Sequence, residues 1–311
     1  MNLRTVTGEI PVEAVTLADG HAHAWIKPPP NVMDENAPVL DDYDSILAEL
    51  EDFKRAGGAA LVDCQPGGCG RDARMLSHLS ETSGLYITAA TGFHLKRYYP
   101  MESWLWTATQ KQAATFFTEE LTVGTTETSG TVRAAAIKIG YDGLIEGQTR
   151  TLVEAAAEAS LQTGAAILVH TEKGQNAEAL LPFFANLGIG ANRLYLCHMD
   201  KRPDIGLHRE LAKAGALLGY DTFLRPKYNP EENVWPLIET MVKDGLADSV
   251  ALGLDMAASG LWAHQGGEWG LLALPQLILP RLRAVGIDEA TITRLAGQNV
   301  ARRLVWDTTN H

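Results

Sequence analysis

Short apolar runs recur along the chain, and several end on a side chain able to bind a metal or carry a proton. Residues 165–169 (Ala-Ala-Ile-Leu-Val) stop at His170. A run that is apolar at every position predicts a strand shielded on both faces. Residues 193–197 lead into His198, 250–254 into Asp255, and 14–17 towards Asp19, His21 and His23. Residues 133–138 place Lys138 inside an otherwise alanine-rich strand. Strands are predicted near 14–18, 59–64, 85–90, 132–139, 165–170, 193–197, 216–220 and 250–254. Between them the apolar spacing changes to that of helices, over 43–55, 149–163, 176–186, 205–214 and 231–243. Gly57 with Gly58, and Gly164, stand where the first two of these should stop. Residues 288–305 read as one or two closing helices.

Strands alternating with helices imply parallel pairing through right-handed crossovers. Eight such units, with no repeat, low-complexity tract or linker between them, predict an α/β fold: one (β/α)8 barrel domain over residues 1–311. Barrel active sites lie at the C-terminal ends of the strands, where His170, His198 and Asp255 fall. An open doubly wound sheet would leave His21 and Asp255 on distant strands, whereas closure makes the first and last strands neighbours. The ligand-type residues therefore favour the barrel.

Composition narrows the partners. The formal net charge is −12 and no basic stripe is present, which argues against nucleic acid or an anionic membrane. No run approaches the roughly 18 apolar residues of a membrane span, and the amino terminus lacks a signal-peptide core. Cys64, Cys69 and Cys197 are odd in number and form no Cys-x-x-Cys pair, so a reducing cytoplasmic setting is expected. A small-molecule substrate is the expected partner, and a homodimer is an open assembly.

His21 and His23 are two apart, so an extended backbone projects both imidazoles to one side, where they can share a cation. Each histidine taken alone is as well read as a satisfied residue at a strand end. Together they are read as one constructed site. A buried Lys138 is costly as a cation, so its pKa is expected to fall. As a free amine it could take up carbon dioxide and become an anionic, bidentate carbamate able to bridge two cations. The other reading is a lysine paired with a nearby carboxylate.

His21-x-His23, Lys138, His170, His198 and Asp255, in this order and on these strands, resemble the amidohydrolase superfamily, and more narrowly its phosphotriesterase-related family. Residues 61–66 with 70–72, Thr91-Gly92-Phe93 before Tyr98-Tyr99-Pro100, and 299–302 extend the likeness over nearly the whole chain. One departure is Ala22, where such proteins often carry glutamate; its side chain should face away from the metals. The resemblance implies a binuclear hydrolase. His21, His23 and Asp255 would hold one divalent ion and His170 and His198 the other, with carbamylated Lys138 and a hydroxide between them. Lys138 and Asp255 would be the catalytic residues, Asp255 as proton acceptor. Imidazole and carboxylate ligands suit Zn2+, with Mn2+, Co2+ and Fe2+ as alternatives.

Beyond His198 come Lys201 and Arg202, and beyond strand seven Arg225, Lys227 and Tyr228. Lys201, Arg225, Lys227 and Tyr228 are the candidate substrate-binding residues, because cations on two neighbouring loops of an acidic protein can form an anion pocket. These loops resemble those of family members that hydrolyse phosphorylated sugar lactones. The expected reaction is therefore lactone opening on a phosphorylated sugar. The alternatives are a phosphotriester or an unphosphorylated lactone at the same site, or a ligand-binding barrel without turnover. Trp104, Trp106, Trp262, His264 and Trp269 belong to loops that either cover the pocket or pack against the barrel top. Cys197 is read as core, pointing away from the direction of His198, and Cys64 and Cys69 as non-catalytic thiols.

Overall fold

The computed structural model describes residues 1–32 and 38–306. A short antiparallel hairpin, β1 (Asn2–Thr5) and β2 (Gly8–Pro11), opens the chain. Next come β3 (Ala18–Ala22), β4 (Ala60–Asp63), β5 (Tyr86–Thr88), β6 (Ala90–Gly92), β7 (Ala136–Tyr141), β8 (Ile167–Thr171), β9 (Leu194–Cys197), β10 (Leu217–Tyr220) and β11 (Val250–Leu252). Every neighbouring pair within β3–β4–β5 and within β6 to β11 is parallel. β5 and β6 are one barrel strand interrupted at Ala89, whose carbonyl accepts from the Ala135 N–H at 2.8 Å. Counted so, eight parallel strands form the barrel.

The seam between first and last strands is closed by a side chain as well as by backbone. Asp19 Oδ1 accepts from the N–H groups of His21 (3.1 Å) and Leu254 (2.9 Å), and the Asp255 N–H donates to the His21 carbonyl at 2.9 Å. The strands approach so closely that a Cβ on Gly253 would lie 2.8 Å from the His21 nitrogen.

The helices are α1 (Tyr43–Arg55), α2 (Ala73–Ser83), α3 (Gln110–Thr122), α4 (Gly147–Thr163), α5 (Leu180–Asn186), α6 (Ile205–Lys213), α7 (Pro230–Lys243), α8 (Leu279–Ala284), α9 (Glu289–Thr293) and α10 (Asn299–Arg303). In α1, Asp42 caps the Ser45 N–H, and Ile46, Leu50 and Phe53 recur at i, i+4 and i+7 to bury one face. Gly164 ends α4 in the left-handed conformation, at φ 81°. α2 and α3 lie in stretches where no helix was predicted. The first strand begins at Ala18 rather than Ala14, because Val12–Ala14 forms a turn of 3-10 helix. Val12 and Val15 serve instead as a plug under the barrel, packed with Leu3, Val300 and Leu304. Among the described residues no helix is long and apolar enough to cross a membrane.

One buried ion network holds the upper face. Arg71 donates to Glu120 at 2.6 and 2.9 Å, to Glu127 at 2.7 and 2.8 Å and to the Ala90 carbonyl at 2.6 Å. It ties the turn before α2 to β6 and α3. Removing the cation leaves two carboxylates facing each other out of water, a change that costs about 3–5 kcal/mol. Arg71→Met should therefore lower the unfolding free energy by that amount, read as a lower urea midpoint with an unchanged slope.

Candidate metal centre

Three backbone devices aim the side chains into the mouth of the barrel. In β3 the pairing with β4 shifts register between Asp19 and Ala22, the irregularity that re-aims side chains on a bulged strand. His198 and Asp255 both adopt positive φ, 63° and 48°, costly for residues with a Cβ. Cys197 does not point away from the site side, as a plain alternation would have it. It packs with Tyr195 in the barrel interior, and the left-handed turn at the next residue swings the His198 imidazole over the same space.

The six expected ligands converge. His23 Nε2 lies 3.6 Å from Asp255 Oδ1, and His21 Nε2 lies 3.9 Å from the same oxygen and 3.4 Å from Lys138 Nζ. His198 Nε2 faces His170 Nδ1 at 3.0 Å, and the His21 and His198 rings stack with centroids 4.6 Å apart. His21, His23 and Asp255 can each present one ligand atom within 4.8 Å of the others. All but His170 are buried, and His170 is nearly so.

The donor set suits divalent cations. Burial drives the pKa values of His21 and His198 well below the usual imidazole value and that of His170 down to about 4, so these rings are neutral, the form that ligates. Burial alone would raise Asp255. The imidazoles of His198 and His23 and the Arg225 guanidinium outweigh it and keep the carboxylate ionised. Among the described residues, the ring nitrogens His23 Nδ1 and His170 Nε2 are buried without hydrogen-bond partners. Lys138 behaves differently from expectation. Burial pulls its ammonium down, but the surrounding Cys64, Cys197, Asp255 and Asp221 outweigh burial and raise its pKa. In the ion-free protein it supplies positive charge to an acidic ring.

A cavity of about 180 Å³ opens over this cluster. Lys201, Arg225 and Tyr228 line it with His23, His170 and Asp255. Arg225 Nη2 lies 3.1 Å from Asp255 Oδ2 and also donates to the Asp255 carbonyl. Lys201 Nζ lies 3.8 Å from Asp255 Oδ2 and 5.0 Å from the centre of the Tyr228 ring. Lys227 is exposed and outside the cavity lining, its ammonium 5.0 Å from the same ring, because it faces outward on the turn Pro226–Tyr228. None of the tryptophans lines the cavity. Trp262 is core, donating to the Met256 carbonyl at 2.9 Å; Trp106 packs on Phe93 and Tyr99; Trp104 is half-exposed against Phe116. Trp269 walls a separate cleft with Phe223 and Leu261, and His264 pairs with Asp52 at 2.8 Å on α1.

Sequence reasoning missed Asp221. It is fully buried, and its carboxylate takes the Nδ1 sides of His21 (3.0 Å) and His198 (2.7 Å). The signal was present: an apolar run, Leu217–Tyr220, ends on it as other runs end on ligands. His94 was missed as well. Its Nδ1 accepts from the Leu95 N–H at 2.7 Å, so the neutral ring carries its proton on Nε2 beside the cavity that it lines. Across from it, Arg97 donates to Glu172 at 3.0 Å, joining the loops that follow β6 and β8.

Known proteins are similar to this chain along nearly its whole length. A sequence model of the phosphotriesterase family matches residues 1–304. The chain is similar to a phospho-furanose lactonase of Mycoplasmopsis synoviae, 28% identical over 324 positions covering 98% of this chain and 92% of the relative. It is 25% identical to an N-acetyltaurine hydrolase of Bos taurus, covering 91% of this chain and 83% of that protein. The crystal structure of a lactonase from Listeria monocytogenes superposes with a TM-score of 0.92 at 24% identity, covering 99% of this chain and 100% of the other.

Proposed function

The chain belongs to the phosphotriesterase family, and from that premise we propose that it is a metal-dependent hydrolase opening phosphorylated sugar lactones. The observation that carries this reading is the placement of Lys201, Arg225 and Tyr228 around the same cavity as Asp255 and the histidines. The phospho-furanose lactonase of Mycoplasmopsis synoviae, similar along nearly its whole length, supports it.

His21, His23 and Asp255 would hold one divalent ion and His170 and His198 the second, with carbamylated Lys138 between them. Zn2+ is the proposed metal, on the chemistry of the donors. Two such cations, when bound, lower the pKa of water and polarise a carbonyl oxygen. The chain's own groups do the rest. Asp255, ionised and facing the cluster, takes the proton of the attacking water as oxygen adds to the lactone carbonyl carbon. When the ring C–O bond breaks, the same carboxyl returns the proton to the departing ring oxygen. Arg225 and Lys201 would bind the phosphate, Arg225 through its two-pronged donor and Lys201 as a point charge, with the Tyr228 ring orienting the ammonium. Before substrate enters, Arg225 rests on Asp255, so an anionic substrate would draw it off that carboxylate. The cytoplasm is the proposed compartment, supported by three cysteines that are all buried and unpaired.

The deciding assay is acid release from five-membered sugar lactones with and without a phosphate. The phosphorylated lactone should be the better substrate. Because Arg225 also touches Asp255, the informative number is the ratio of the two kcat/KM values. Arg225→Ala should lower that ratio by about 10- to 100-fold, the equivalent of one charge-assisted bond. An unchanged ratio, or a wild-type preference for the bare lactone, would remove the phosphate pocket. Turnover of N-acetyltaurine in place of either lactone would move the assignment towards the relative in Bos taurus.

The metal assignment has its own test. Protein loaded with Zn2+ should hold close to two ions per chain by elemental analysis. Lys138→Ala should lose most activity, with partial return on adding a short carboxylic acid that can fill the bridge. Full activity in Lys138→Ala would rule out the bridging carbamate.

A further inference from the structure

Asp221 stands at the end of β10, fully buried, and two ring nitrogens and one backbone N–H converge on its two carboxylate oxygens. His21 Nδ1 is 3.0 Å from Oδ2, His198 Nδ1 is 2.7 Å from Oδ1, and the His198 backbone N–H is 3.1 Å from Oδ2. A neutral imidazole carries one N–H. Donated to Asp221 from Nδ1, it leaves Nε2 with a free lone pair. Those Nε2 atoms are the ones turned to the centre: His21 Nε2 towards Lys138 and Asp255, His198 Nε2 towards His170. In the binuclear reading above, His21 and His198 serve different ions.

The same three residues also have the composition of a metal site of their own. The wiring speaks against it: the His198 backbone N–H already occupies Asp221 Oδ2, and the ring atoms turned to the Lys138, Asp255 and His170 cluster are the opposite Nε2 nitrogens, so the contacts to Asp221 read as direct hydrogen bonds. The backbone that carries this carboxylate is itself fixed from behind. Asp200 Oδ2 accepts from the Asp221 N–H (3.0 Å), the Thr222 N–H (2.8 Å) and the Thr222 hydroxyl (2.6 Å). Asp200 lies two residues beyond His198, so the clamp joins the turn after β9 to the end of β10.

We infer that Asp221 is a positioning residue shared by both ion sites, setting the tautomer of one histidine in each and thereby linking the affinities of the two. The linkage rests on the binuclear reading; the tautomer assignment rests on the hydrogen bonds alone. Carboxylates behind ligating histidines are worth about 10- to 100-fold in metal affinity. A carboxylate behind two of them makes that loss common to both ions.

Asp221→Asn keeps the shape and changes the donor pattern. The amide oxygen can accept from one ring, but the amide N–H2 must donate to the other, which then carries its proton on Nε2 and turns it towards the centre. Long-range 1H–15N spectra of metal-free, 15N-histidine-labelled wild type should show His21 and His198 both protonated at Nδ1. In Asp221→Asn at least one should appear protonated at Nε2. Calorimetric titration of the metal-free proteins with Zn2+ should then show two ions in the wild type, both weakened by about 10- to 100-fold in the variant. Either ring protonated at Nε2 in the wild type would overturn the positioning role, and this needs no variant to fold. Weakening confined to one of two ions would overturn the linkage. A wild type that takes up one ion, with both rings still protonated at Nδ1, would instead count against the binuclear reading and retain Asp221 as a positioning residue for that single ion.

Discussion

The chemistry of this molecule depends on one seam. Closing a parallel barrel requires the first and last strands to meet, and here they meet around Asp19, whose buried carboxylate takes an N–H from each side. Burial carries its pKa up to about 8, yet two backbone donors hold it in place. Side chains are excluded where the strands press together, as the close approach at Gly253 shows. Only because this seam is tight does Asp255 lie over His21 and His23, more than 230 positions earlier in the chain. The cavity, its charge and the ring of histidines follow from that closure.

The site is also a balance of charge that no single residue carries. Burial strips protons from His21, His170 and His198, while the same burial would neutralise Asp255 were it not for the imidazoles and Arg225 around it. Lys138 stays cationic for the corresponding reason, being surrounded by acidic groups. The arrangement holds several ligands in their metal-binding protonation states before any ion arrives, and Arg225 and Lys201 provide part of the positive charge meanwhile.

Most of the architecture was legible because strand burial and ligand placement leave marks in the same short stretches. Runs such as 165–169 are apolar throughout and then break at a histidine, so strand, strand end and chemistry are read together. What escaped was what depends on partners far away in sequence. Asp221 looks like one more acid after an apolar run until His21, 200 positions earlier, lands beside it. The inward swing of His198 cannot be read from alternation, since it comes from one left-handed residue. Val15, inside the strand predicted over 14–18, joins Val12 in the plug at the barrel floor instead. Lys227 is of the same residue type as Lys201 and sits near the same ring, yet the turn that carries it faces solvent. Charge alone could not separate the two.

The left-handed backbone at His198 and Asp255 sets a condition on anyone who would transplant this centre into another scaffold. Copying the side chains onto regular strands would leave both groups aimed elsewhere, because strand geometry offers only two directions in alternation. The recipient must supply two peptide units in a conformation that ordinary residues resist, and enough surrounding packing to hold them there. In a barrel with relaxed strand ends, the same six residues would be a list of ligands without a place to meet.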